Sequence, residues 1–87
     1  MTFYFSGSVQ GVGFRYTTER LARHFPVTGF VRNLSDGRVE VTVEGDEGAL
    51  KDFLKAIQTS SLADNIRNVE AVWASADGTF KEFGVRF

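Results

Sequence analysis

Residues 28–44 constrain the fold of this chain more than any other stretch. Two short runs, Thr28-Gly29-Phe30-Val31-Arg32-Asn33-Leu34 and Arg38-Val39-Glu40-Val41-Thr42-Val43-Glu44, flank Ser35-Asp36-Gly37. The second run places Val39, Val41 and Val43 on one face and Arg38, Glu40, Thr42 and Glu44 on the other. That is the two-residue period of a half-buried strand. Asp-Gly suits backbone positions that need positive φ, so the joint reads as a turn and the pair as a β-hairpin. A hairpin of this kind commits the chain to a mostly antiparallel sheet with one covered face.

Around the hairpin the hydrophobic period changes between strand and helix. Residues 2–9, Thr-Phe-Tyr-Phe-Ser-Gly-Ser-Val, alternate, with Phe3, Phe5, Gly7 and Val9 sharing a face, and read as a first strand. Gln10-Gly11-Val12-Gly13 breaks that pattern. A helical stripe of Phe14, Thr18, Leu21, Ala22 and Phe25 follows, and Pro26 ends it. After the hairpin, Asp46 stands where an N-cap is needed, with Glu47 in the first turn of a second helix. Leu50, Phe53, Leu54 and Ile57 recur along that helix at 3.6-residue spacing. Residues 59–66 read as a polar connection. Residues 68–76 alternate again, with Val69, Ala71 and Trp73 on one face. Asp77-Gly78 turns the chain, and residues 80–87 form a last strand carrying Phe80, Val85 and Phe87.

The order β-α-β-β-α-β plus a terminal strand predicts an α+β fold: a two-layer α/β sandwich of the ferredoxin-like type, with an added terminal strand. Its sheet is mostly antiparallel and both helices lie on one face. Strand 1 runs parallel to strand 2, beside it or next but one. Trp73 and the phenylalanines are expected in the core. At 87 residues the chain is a single domain, 1–87, with no internal repeat, low-complexity tract or linker.

Composition removes much chemistry. The chain has no Cys and one His, His24. Disulfides, thiolate nucleophiles, Cys-ligated zinc and iron–sulfur clusters are excluded, as is a multi-His metal site. His24 lies late in the first helix beside Arg20 and Arg23, where a cation suits the helix dipole and a surface role is expected. Net charge is −1, which counts against nucleic-acid binding. No run is long and apolar enough to span a membrane. Met1-Thr2-Phe3-Tyr4 lacks the basic and apolar regions of a signal peptide, so the expected compartment is the cytoplasm. In that setting the triplet Asn33-Leu34-Ser35 is an accidental match to a glycosylation site.

The stretch that carries chemistry is Gly7-Ser8-Val9-Gln10-Gly11-Val12-Gly13-Phe14-Arg15, a strand, a glycine-bearing loop and a helix start. Gly11 and Gly13 free the backbone to curl. The first helical amides have no intrahelical partner, and the dipole favours an anion there. Arg15 faces the positive end of that dipole, a conflict that a bound anion removes; its planar fork suits phosphate oxygens. On spacing alone a second reading stands beside this one: the glycines serve a steric turn and Arg15 points into water. Neither the dinucleotide nor the nucleoside-triphosphate glycine motif matches.

This run closely resembles the first signature of the acylphosphatase family. Gly29-Phe30-Val31-Arg32-Asn33-Leu34, followed by Asp36-Gly37-Arg38-Val39-Glu40, resembles that family's second signature. The likeness spans the whole chain, including Glu44-Gly45 and the closing Phe83-Gly84-Val85-Arg86-Phe87. It implies a small hydrolase that cleaves the mixed anhydride of a small-molecule acyl phosphate, with inorganic phosphate as product and inhibitor. Arg15 matches the family's phosphate-binding arginine and Asn33 the asparagine that positions the attacking water. The amides of Ser8, Val9, Gln10, Gly11, Val12 and Gly13 match its phosphate-cradling loop. No metal, cofactor or covalent intermediate is implied, and a monomer without nucleic-acid or membrane partners is expected. The chain departs from the family in two places. Residues 59–67 lack the Gly-Pro or Pro-Pro segment common there, and Leu34 offers no hydroxyl beside Asn33.

The residue chemistry is compatible with that activity. A carboxylate leaving group, with a pKa about 4, needs no general acid. Phosphoryl transfer rests on positioning and charge stabilisation, which Arg15 and oriented amides supply. Asn33 accepts a hydrogen bond from water through its carbonyl oxygen and so aims the lone pair, but it is no strong base. The water's proton is then expected to go to a phosphoryl oxygen of the substrate. Arg20, Arg23, Arg32 and Arg38 are expected as a solvated surface rather than a substrate-attracting rim. Two alternatives belong to other classes. Ferredoxin-like sheets also bind RNA, and Gly13-Phe14-Arg15-Tyr16 superficially resembles an aromatic RNA-binding strand. The fold also serves as a domain of larger carbamoyl-phosphate enzymes, although a start at Met1 favours a free-standing protein.

Overall fold

The Asp36-Gly37 hairpin forms as its alternation dictates, and the sheet is built outward from it. The computed structural model describes residues 1–73 and 78–87. In chain order the elements are β1 (Thr2–Gly7), α1 (Phe14–Ala22), β2 (Thr28–Asn33), β3 (Val39–Glu44), α2 (Glu47–Gln58), a 3-10 turn (Ala63–Asn65), β4 (Ile66–Val72) and β5 (Phe83–Arg86). The strand order is β4-β1-β3-β2-β5. β3 pairs antiparallel with β2 on one side and with β1 on the other. β1 and β2 therefore run parallel with β3 between them, the next-but-one arrangement. β4 pairs antiparallel with β1, and β5 adds a parallel pairing on the outer side of β2.

One face of this sheet is apolar. Phe3 and Phe5 of β1, Val31 of β2 and Val39, Val41 and Val43 of β3 are buried in one cluster with Phe14 and Ala22 of α1 and Leu50, Phe53 and Ile57 of α2. Both helices thus cover the same face, and their burial supplies the main drive for folding. The aromatic rings interlock, with Phe5 and Phe14 centroids 5.1 Å apart and Phe53 and Phe83 5.6 Å apart edge to face. The opposite face carries the buried Phe30, with the Arg86 guanidinium over its ring at 4.0 Å, beside internally paired polar side chains. Arg32 Nε donates to Glu40 Oε1 at 2.6 Å, and Thr42 Oγ1 donates to Glu40 Oε2 at 3.1 Å. That pairing explains how Glu40 tolerates near-complete burial. The Arg38 guanidinium lies over the Tyr4 ring at 4.7 Å. Arg23 also has an acidic neighbour, Glu19 at 3.8 Å. Arg23, Arg32 and Arg38 are therefore paired surface groups.

Several boundaries differ from those expected. α1 stops at Ala22, not Phe25. The amides of Arg23, His24 and Phe25 instead bond three residues back, to Arg20, Leu21 and Ala22 carbonyls. Pro26 disfavours helical backbone at Phe25, so the end tightens before it. β1 ends at Gly7 rather than Val9, at a register shift against β4 between Ser6 and Gly7; Val9 is still fully buried. Asp46 is the N-cap of α2, though its side chain makes no capping bond. The connection 59–66 is less polar in effect than in composition, because Leu62 is buried and Ile66 begins β4. β4 starts two residues early and ends at Val72; residues 74–76 of the expected strand, and Asp77 of the expected turn, lie outside the described residues.

Two core expectations fail. Trp73 is 61% exposed, because it lies one residue past the last pair on the sheet's edge strand, Thr2 with Val72. Phe87 is 90% exposed, because β5 is shorter than expected and ends at Arg86. Phe80 precedes β5 and packs on Phe30, with centroids 5.7 Å apart.

Thr18 is fully buried in α1, and its hydroxyl has no hydrogen-bond partner among the described residues. A buried unsatisfied hydroxyl carries its desolvation penalty uncompensated. Thr18→Val is therefore expected to stabilise the fold by about 1 kcal/mol, read as a rise in Tm or in the urea midpoint.

Candidate active site

The strand pairing brings three chain segments to one end of the sheet. Val39 of β3 stands opposite Phe5 of β1 on one side and opposite Asn33 of β2 on the other. The loop that follows β1 therefore leaves the sheet where β2 ends. β5 runs parallel to β2 with Arg86 opposite Arg32, so Phe87 and Asn33 come out at that same end.

The loop between β1 and α1 curls at its glycines. Gly11 and Gly13 have φ of 79° and 77°, the left-handed region that side-chain-bearing residues avoid. The first helical hydrogen bond runs from Thr17 N–H to the Gly13 carbonyl at 3.0 Å. Among the described residues, no backbone N–H from Val9 through Tyr16 donates to a backbone carbonyl. A continuous run of free donors thus sits at the positive end of the α1 dipole, the electrostatic requirement for holding an anion.

Arg15 and Asn33 converge on a hollow of about 110 Å³, lined also by Val9, Gly11, Gly13, Phe14 and Tyr16. The Arg15 guanidinium carbon lies 4.5 Å from the centroid of the Phe87 ring, and the same ring neighbours Tyr16 at 6.4 Å. Stacking occupies the flat face of the guanidinium and leaves its N–H edge available. Arg15 has no acidic partner among the described residues. Two larger hollows, of about 320 Å³ beside Arg67 and about 450 Å³ between α1 and β5, include no residue of the loop.

The remaining loop positions play separate parts. Val9 anchors the loop in the core, whereas Val12 is exposed. Ser8 lies outside the hollow, and its carbonyl accepts a 3.0 Å bond from Asn65 Nδ2 in the connection before β4. Gln10 reaches the other way: its Nε2 donates to the carbonyls of Leu34 at 2.7 Å and Arg38 at 3.0 Å, across the hairpin turn. The turn itself is braced by Asp36, which accepts from the Arg38 backbone N–H at 3.1 Å and from Arg38 Nε at 2.8 Å. The backbone bond first, and the guanidinium second, hold the Asp36 carboxyl below its ordinary value. His24 is exposed on the turn that follows α1. Phe14 begins α1 and is buried, so its ring is not open to a base, whereas Tyr16 of the same run is exposed.

Sequence reasoning named Gln10 only for its backbone and Phe87 only as core. The Phe87 contact follows from the parallel β2–β5 register, which nothing in the residue pattern specifies. Tyr16 was legible in principle, since it directly follows Arg15 in the first helical turn.

A ferredoxin-like sandwich carrying a glycine-curled loop of unbonded amides, an arginine and an asparagine at one end of its sheet has the features of small phosphate-handling α/β enzymes. The chain is a member of the acylphosphatase family, whose family model matches residues 1–85. An acylphosphatase of Archaeoglobus fulgidus is 40% identical over 87 residues, covering 100% of this chain and 97% of that protein. The crystal structure of acylphosphatase from Bacillus subtilis matches with a TM-score of 0.89 at 31% identity, over 99% of this chain and 96% of that one. The fold also recurs within a longer protein: T.kodakarensis HypF matches at a TM-score of 0.85 and 28% identity, over 99% of this chain but 11% of the HypF chain.

If the Phe87 ring steadies Arg15, removing it weakens anion binding without unfolding a ring that is already exposed. Phe87→Ala is expected to raise the dissociation constant for inorganic phosphate about 2–5-fold, the equivalent of one exposed cation–π contact, with Tm unchanged. Isothermal titration with phosphate measures it.

Proposed function

We propose that residues 1–87 act as one acylphosphatase domain that hydrolyses small acyl phosphates to a carboxylate and inorganic phosphate. The phosphoryl group sits in the loop, its oxygens bound by the Arg15 guanidinium and by backbone amides between Ser8 and Gly13. Asn33, which also lines the hollow, accepts a hydrogen bond from the attacking water through its side-chain carbonyl oxygen. What supports this reading is that Arg15 and Asn33, far apart in sequence, line one hollow bounded by free backbone donors.

The chemistry follows from charge. A loose phosphoryl-transfer transition state spreads negative charge over equatorial oxygens, where fixed amides and a guanidinium stabilise it without reorganising. The leaving carboxylate departs unprotonated at neutral pH. The water loses its proton to a phosphoryl oxygen, so no side-chain base is required. Inorganic phosphate, the product, retains the group that the loop binds and acts as a competitive inhibitor. Every residue in this scheme comes from one chain, which suits a monomer. The absence of Cys suits the reducing cytoplasm.

Benzoyl phosphate hydrolysis by the purified chain tests the assignment. Arg15→Gln is expected to lower kcat/KM about 10²-fold and to weaken phosphate inhibition, since it removes a charge-stabilising donor. Asn33→Ala is expected to lower kcat about 10²-fold through loss of water positioning, with phosphate inhibition retained. Wild-type protein inactive above background would overturn the reading.

A further inference from the structure

We infer that the Gln10 side chain is a positioning residue for hydrolysis, a strap that sets the spacing between the phosphate loop and the turn that directly follows Asn33. This rests on the reading of Arg15 and Asn33 just given. The loop has no backbone hydrogen bond of its own to the hairpin among the described residues. Gln10 Nε2 supplies the link, spending one N–H on the Leu34 carbonyl at 2.7 Å and the other on the Arg38 carbonyl at 3.0 Å. Both acceptors belong to the neck of the turn. The Leu34 N–H closes that neck on the Arg38 carbonyl at 2.8 Å, and the Gly37 N–H returns to the Leu34 carbonyl at 3.2 Å. Each carbonyl therefore receives one bond from the hairpin and one from the loop, filling both lone pairs.

Leu34 directly follows Asn33, so a shift of this neck carries Asn33 with it. The phosphoryl group is held on the loop side and the water on the Asn33 side. The strap thus fixes the attack distance rather than the affinity of either half-site. A primary amide on a two-methylene stem is what the geometry uses. Glutamate of the same length accepts where donors are needed and repels both carbonyls; asparagine falls short by one carbon–carbon bond, about 1.5 Å. Misplacement on that scale costs far more in rate than in binding.

The test compares Gln10→Met, which keeps length and removes both donors, with wild type on benzoyl phosphate, in the Asn33 and Asn33→Ala backgrounds. In the Asn33 background kcat is expected to fall at least about tenfold, from lost alignment, while the phosphate inhibition constant changes less than about twofold, as for a site not touched. With Asn33 already replaced by Ala, adding Gln10→Met is expected to lower kcat by less than about twofold, because coupled positions are non-additive. An unchanged kcat in Gln10→Met, or a loss of the same size in both backgrounds, would overturn the strap. If Gln10→Met melts below the assay temperature, Gln10→Asn takes its place in the same cycle. Inactive wild-type protein overturns the functional reading and the strap together, whereas active wild type with an indifferent Gln10 variant overturns the strap alone.

Discussion

The site depends on β3 being paired on both sides. Its Val39 stands between Phe5 of β1 and Asn33 of β2. That single register decides that the loop after β1 and the end of β2 emerge together. Shifting either pairing by one residue would turn the alternating Val39, Val41 and Val43 out of the core. Burial of those valines against Phe3, Phe5 and the two helices therefore guards the spacing of the functional groups as well as the fold. The parallel addition of β5 extends the arrangement by delivering Phe87 to the face of Arg15.

Within this frame the chemistry asks little of the side-chain inventory. A chain with no Cys and one exposed His has no thiolate, and its single imidazole is not among the residues lining the hollow. An acyl phosphate brings a good leaving group and its own basic oxygens, so the protein need only hold negative charge and aim a water. In the proposed reaction the first falls to the loop, which leaves a run of amides unbonded at a helix N-terminus, and the glycine conformations at Gly11 and Gly13 make that curl attainable. Arg15, unfavourable beside the dipole when the loop is empty, becomes favourable once an anion lies between them.

Much of this was legible in the residues because it rests on local pattern. Alternation at 38–44, the Asp-Gly turn, the period of Leu50, Phe53, Leu54 and Ile57, and the glycine loop before Phe14 each encode a short-range preference that packing did not override. The two residues wrongly expected in the core lie at sheet edges and ends. Trp73 and Phe87 are large and apolar, and composition places such residues inside; only the register shows that the sheet has run out of partners at both. The Gln10 bridge spans 24 residues to Leu34 and 28 to Arg38. A polar residue in a loop gives no sign of which distant carbonyls it will reach. The two elements that bear Arg15 and Asn33 were readable separately, while their meeting at one hollow is a property of topology.

Everything above requires that an anion bind where the free amides, Arg15 and Asn33 meet. A phosphate titration followed by ¹H–¹⁵N NMR tests it most directly. Saturable shifts are expected to concentrate in the backbone amides of Gly11 through Arg15 and in the Asn33 side-chain amide, and to be lost in Arg15→Gln. Saturable shifts confined to the opposite face of the sheet, or a loop that does not respond to phosphate, would contradict it.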